Sequence, residues 1–141
     1  MNLRLLLAAG FVFAADQWVK ALVIKHLREG QAAPIGSHLK IRYVAHPSGR
    51  HKFLQSRFAL ALLWLITLAG IVFFLRQGYF FQSRAAQLAL GAALGGAGSN
   101  LYDRLRLGVV IDFLDVGWWP VFNLGDVAIT VGVAVALWFI R

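Results

Sequence analysis

The chain has 141 residues, which on length alone is one domain. Hydrophobic residues make up 60% and charged residues 14%, where soluble globular chains run near about 45–50% and about 25%, and the deviation points to a membrane. The formal net charge of +8 gathers between apolar runs, which favours anionic lipid headgroups over nucleic acid, and the lack of cysteine excludes disulfides, zinc–thiolate sites and cysteine nucleophiles.

The first apolar run, 3–24, is long enough for the ~20 residues that a bilayer requires. It contains Asp16, Gln17 and Lys20, which should face the protein interior rather than lipid. Asp16 and Lys20 stand four apart with the acid first, the favourable order for a helix pair. Two readings stay open: an internal ion pair with Lys20 reaching to the interface, or support for a site. A cleavable signal peptide is a rival, with Phe13-Ala14-Ala15 as a poor cleavage site; the apolar character continues past it to Ile24, which favours a retained helix.

From 25 to 52 the chain turns polar, punctuated by Gly30, Pro34, Gly36, Pro47 and Gly49. Within it His38 to Val44 alternates polar and apolar residues at period two, which predicts a half-exposed strand. His26, His38, His46 and His51 lie in or beside this loop, but their spacings match no zinc signature and no metal is expected. The second apolar run is 53–75 and the third is 85–101. In the third, Gly91 and Gly95 fit a small-xxx-small pattern for close helix approach. A fourth run covers 124–140. Four spans put both termini on one side. By charge alone, Lys25, Arg28, Lys40, Arg42, Arg50 and Lys52 would hold the first loop in the cytoplasm.

The third run ends in Ser99-Asn100-Leu101-Tyr102-Asp103-Arg104. Asn100, Asp103 and Arg104 share a helical face; Arg104 can fork onto a carboxylate and Asn100 can both donate and accept. Next comes Gly108 to Asp126, with Asp112 and Asp126 fourteen positions apart. In one helix they would stand roughly 21 Å apart at about 1.5 Å per residue. Gly117 and Pro120 interrupt any such helix, so the chain can fold back and bring the two together. Two close carboxylates cannot easily both ionise. One would draw a proton from water while the other, protonated, donates to a scissile carbonyl, as aspartic hydrolysis needs. The other reading is that both aspartates cap helices or pair with Arg104 and Arg106.

Together these residues resemble the lipoprotein signal peptidases (signal peptidase II). Asp16-Gln17-x-x-Lys20 resembles the family's first-helix motif. Gly95 to Arg104 is similar to its GGALGN-L-x-DR motif. Val110-Ile111-Asp112-Phe113 matches V-x-DF, and Phe122-Asn123-Leu124-Gly125-Asp126 resembles FN-x-AD. The resemblance implies an all-α membrane protein of four transmembrane helices with a small extracytoplasmic β-containing loop region. It implies an aspartic endopeptidase of the bacterial inner membrane that needs no cofactor. Such an enzyme removes signal peptides from diacylglyceryl-modified prolipoproteins, cutting just before the lipidated cysteine. Asp112 and Asp126 would be the catalytic pair, supported by Asn100, Asp103, Arg104 and Asn123, with Asp16 and Lys20 behind them. Both termini would be cytoplasmic, against the loop charge count, and a monomer among membrane lipids is expected.

Three departures stand out. His46-Pro47-Ser48-Gly49-Arg50-His51 replaces an N-x-GAAF segment expected to contact substrate, with His46 at the asparagine's position. Ser99 replaces a glycine, and Gly125 replaces an alanine. These changes leave the dyad intact and predict altered substrate preference. The rival functions are a catalytically inactive paralogue that binds lipidated peptides or serves as an accessory protein, and a small transporter, which the apolar second and fourth spans disfavour.

Overall fold

The computed structural model describes residues 3–47, 69 and 83–139. The expected second span, 53–75, therefore lies outside the described residues apart from Ala69, as does the basic turn from Ser48 to His51.

Helix α1, Leu3–His26, runs for 24 residues, about 36 Å at 1.5 Å per residue. A dense run of Leu, Ala, Val and Ile with no proline favours it, and Lys25 and His26 in the last turn oppose the negative end of its dipole. Among the described residues it is the helix whose length and composition are sufficient to cross a membrane. Its burial is inverted relative to a water-soluble helix. Asp16 and Lys20 are 0% and 2% exposed, whereas Phe11 is 75% exposed. A polar interior with an apolar outside is the arrangement that lipid, not water, stabilises.

Helix α2, Arg84–Leu107, runs six residues past the end of the apolar run that marks it, 85–101. Asn100, Asp103 and Arg104 therefore stand on its last turns rather than beyond it. Gly108, at φ 76°, ends the helix in the left-handed conformation, and its N–H donates to the Arg104 carbonyl at 3.1 Å. Helix α3, Leu124–Trp138, follows later in the chain. In a bilayer, where apolar burial drives little association, contact depends on backbones coming close. A Cβ at Gly91 or Gly95 would run into the carbonyls of Leu5 and Ala9 on α1. One at Gly96 would strike Gly125 on α3, and one at Gly132 would strike Ala89 and Ala93. Residue numbers rise together along α1 and α2 and oppose along α2 and α3. Thus α2 lies between a parallel and an antiparallel neighbour, with the C-terminal ends of α1 and α2 beside the N-terminal end of α3.

At that end sits a three-stranded antiparallel sheet in the order β1 (Ala32–Pro34), β2 (Lys40–Pro47), β3 (Val109–Asp115). The strand expected over 38–44 is present, but displaced to Lys40–Pro47. The strand after α2 is not marked in the sequence. Val109 to Asp115 is largely buried on both faces, so it lacks the alternation that betrays a half-exposed strand. The β2–β3 register shifts between Ile41 and Val44, where β2 holds one extra residue. The sheet therefore combines residues from either side of α2 and is not confined to the first loop.

Candidate active site

The polar residues of α1 and α2 meet in one buried cluster. Lys20 Nζ lies 2.6 Å from Asp16 Oδ2, 2.8 Å from Asp103 Oδ2 and 2.9 Å from Asn100 Oδ1. An ammonium has three protons, so these three acceptors satisfy it. Asp16 accepts further from the Ser99 hydroxyl at 2.6 Å and from the Gly125 N–H at 3.1 Å. Asp103 also accepts from Gln17 Nε2 at 2.7 Å and from the Ile111 N–H at 3.2 Å. Two of these bonds leave the helix pair. One ties β3 to α2 next to Asp112, and the other ties the first turn of α3 to α1 next to Asp126.

The two aspartates of the central stretch reach this cluster by a reversal of the chain. After β3, Gly117 turns the backbone at φ 83°, with its N–H bonded to Asp115 Oδ1 at 2.8 Å. Phe122 then pairs back onto Leu114, donating to its carbonyl at 3.1 Å and accepting from its N–H at 2.7 Å. Asn123 follows immediately and is 0% exposed. Its Nδ2 donates to Asp112 Oδ1 at 2.7 Å. Its Oδ1 accepts the Asp126 N–H at 2.9 Å while its own N–H donates to Asp126 Oδ2 at 3.3 Å. That reciprocal pair is a capping box, which satisfies two orphan groups at the start of α3.

A single residue thus bonds both carboxylates. Asn100 completes the link, donating from Nδ2 to Asp126 Oδ1 at 2.8 Å and accepting from Asn123 Nδ2 at 3.1 Å. Because Lys20 and Asn123 both donate to Asn100 Oδ1, the amide of Asn100 can present only its NH₂ to Asp126. Gly125 lets this approach happen. A Cβ there would stand 2.9 Å from the Gly96 carbonyl oxygen and 3.0 Å from Asn123 Oδ1.

Asp112, Asp126, Asn100, Asp103, Asn123, Asp16 and Lys20 are therefore brought into one connected network. Two of the named residues are placed differently. Arg104 is only half-buried, and among the described residues its side chain has no hydrogen bond or ion pair. One residue of offset from Asp103, about 100° round the helix, turns Arg104 off the inward face. His46 lies in β2 with its backbone opposite Val110, two residues along β3 from Asp112. The sequence reading gave Gln17 and Ser99 no part in the site. Both join the network, Gln17 bonding the Ser99 hydroxyl at 2.9 Å. The available signal was a glutamine in an apolar run beside a buried acid, since such a residue must turn inward.

Asp126 also lines a groove of about 460 Å³. Apart from Thr130, its other walls are apolar, from Val116, Trp118, Trp119, Phe122, Val127 and Val131. Trp118, 81% exposed, stacks edge-on against Trp119 at its rim, ring centroids 5.7 Å apart. Asp115 secures the same turn from the sheet side, its Oδ2 2.9 Å from Arg42 Nε. The Arg42 N–H does not point along that line, so the contact is an ion pair rather than an aligned hydrogen bond.

Residues 8–141 match the family model described as signal peptidase (SPase) II. The chain is 37% identical over 135 residues to a lipoprotein signal peptidase of Moorella thermoacetica, covering 94% of this chain and 89% of that one. It is 37% identical over 142 residues to one of Syntrophotalea carbinolica, at 94% and 88% coverage. A lipoprotein signal peptidase of Rhodococcus jostii is 35% identical over 93% of this chain and 69% of its own length. Two solved structures of a bacterial membrane enzyme, determined by the in meso method at 2.3 and 1.9 Å, superpose with TM-scores of 0.78 and 0.79. Each is 25% identical and covers 94% of this chain, with 84% and 89% of the solved chain matched.

Proposed function

The chain belongs to the signal peptidase II family, and on that premise we propose that it is an aspartic endopeptidase with Asp112 and Asp126 as its catalytic pair. One observation carries this reading. Asn123 hydrogen-bonds both carboxylates, and one of them faces an open apolar groove. Asp16 and Asp103, by contrast, are spent on the Lys20 ammonium. The partners described for Asp126 are amide N–H groups, which orient its lone pairs without a counter-cation in contact with it.

In this mechanism one carboxylate of the pair takes a proton from water as the oxygen attacks the scissile carbonyl. The other gives its proton to the carbonyl oxygen, and collapse of the tetrahedral intermediate breaks the C–N bond with a proton passing to the leaving amine. Asn100 and Asn123 hold the two carboxylates in register through the proton exchange. Lys20, Asp16, Asp103 and Gln17 fix those amides from behind. The substrate is a lipidated prolipoprotein whose apolar signal segment lies in the groove beside Asp126, cut just before the lipidated cysteine. The chain sits in the bacterial inner membrane as four spans, both termini cytoplasmic, with the sheet and dyad at the extracytoplasmic side. The inverted burial of α1 supports the membrane setting, and the gathering of sheet and dyad at one end of the helices supports the interfacial one. Arg104, half-buried at that end, is free to meet substrate. The changed loop from His46 to His51 alters substrate preference.

The test is cleavage of a lipidated prolipoprotein by the reconstituted chain, alongside Asp112→Asn and Asp126→Asn. Either substitution should abolish cleavage while the protein stays folded. Cleavage that survives both removes Asp112 and Asp126 from the chemistry. A shared proton also predicts a bell-shaped pH–rate profile; a flat one refutes it.

A further inference from the structure

On the far side of the Lys20–Asp103 pair from the two catalytic candidates there is a second cavity, of about 300 Å³, between the C-terminal ends of α1 and α2. Its floor is the hidden Lys20–Asp103 pair, its mouth carries Lys25 and Arg106, and Ala21, Ile24 and Leu107 form apolar walls. Gln17 and Tyr102 complete the lining. The mouth cations are exposed and, among the described residues, neither has a carboxylate partner. Among the described residues Arg106 meets Tyr102, its Nη1 3.5 Å from the hydroxyl and its guanidinium carbon 5.9 Å from the ring centroid. Asp103 does not answer them, because Lys20, Gln17 and the Ile111 N–H already take up both its oxygens.

We propose that this cavity binds the phosphate headgroup of an anionic phospholipid from the surrounding bilayer. Lys25 and Arg106 would bracket the phosphate, the Tyr102 hydroxyl would offer a hydrogen bond, and the first acyl carbons would lie along Ile24, Ala21 and Leu107; Gln17 is already committed to Ser99 and Asp103. The position supports it: the cavity lies at the helix ends, at the level of the sheet, where headgroups lie. The helix dipoles do not account for both cations. A dipole asks only for positive charge in the last turn, and His26 on α1 and Arg104 on α2 already stand there without lining the cavity. The proposal needs only that the chain lies in a bilayer and does not depend on peptidase activity, so the two can fail separately.

The experiment titrates the purified chain with phosphatidylglycerol and with phosphatidylcholine in detergent, reading bound lipid by native mass spectrometry and melting temperature in parallel. A cation near the surface strengthens binding to an anionic lipid about fivefold. The Lys25→Gln/Arg106→Gln double variant should therefore bind phosphatidylglycerol about 25-fold more weakly and lose its extra thermal stabilisation. Its melting temperature in phosphatidylcholine should match the parent's. Retained preference for phosphatidylglycerol in the double variant overturns the assignment. So does an equal fall in melting temperature in both lipids, which would make the cations helix-end partners only. Equal protection of the parent by inorganic phosphate alone would make this a soluble-anion site and overturn it too.

Discussion

Replacing Lys20 with methionine tests the whole polar interior. Methionine keeps the length of the stem and removes the cation, leaving Asp16 and Asp103 facing each other at 0% and 2% exposure. Breaking a buried ion pair by removing one partner costs about 3–5 kcal/mol, because the charge left behind has neither water nor a counter-ion. Here two carboxylates lose the same cation, so the upper half of that range applies, tempered by the donors each keeps: Ser99 and Gly125 for Asp16, Gln17 and Ile111 for Asp103. Activity should fall as well. Asn100 loses the donor that fixes its amide, and a hydrogen bond to a charged group is worth about 1.5–3 kcal/mol, or roughly 10–100-fold in rate. The decisive assay adds Asp103→Asn to Lys20→Met. That pair restores the original net charge of the cluster, one acid in place of two acids and a lysine, so unfolding in mixed micelles should recover at least half of the lost stability. Activity should recover much less, since Asn100 Oδ1 is left with the Asn123 donor alone. A Lys20→Met chain within about 1 kcal/mol of the parent, or no rescue by Asp103→Asn, would refute the idea that Lys20 neutralises this core.

Three further outcomes follow from the geometry. Asn123→Asp keeps the oxygen that caps Asp126 but turns the donor toward Asp112 into an acceptor, so cleavage of a lipidated substrate should drop about 10–100-fold with α3 helicity unchanged by circular dichroism; a rate within about threefold would show that Asn123 serves only as a cap. Gly96→Ala places a methyl against the Gly125 backbone, 2.9 Å from its Cα, and should cost about 1–3 kcal/mol while shifting Asp126, so that activity falls more than stability. Ser99→Ala removes the 2.6 Å bond to Asp16, which Lys20 and Gly125 still hold. Melting should come earlier by the equivalent of about 1 kcal/mol, with cleavage nearly unchanged.

The sequence by itself determined the class of solvent and which polar residues of α1 turn inward. An acid, an amide and a lysine inside an apolar run must face inward because lipid offers them no partner, and α1 buries Asp16 and Lys20 and half-buries Gln17 for that reason. Proline and glycine between Asp112 and Asp126 forbade a straight helix, and the chain does turn back there. Register and hidden partners were decided only by the tertiary structure. The strand Val109–Asp115 is covered on both faces, so no alternation announces it, yet it is what sets Asp112 opposite Val44. Arg104 was named as able to fork onto a carboxylate and has none among the described residues, and helical spacing cannot show that Lys20, eighty-three residues earlier, holds Asp103. Nor could it show the backbone contacts of Gly96 with Gly125, which depend on how closely two helices meet. Spacing along one element is local, whereas the Gly108 to Asp126 stretch takes its place from bonds to α1 and α2, which only the assembled helices supply.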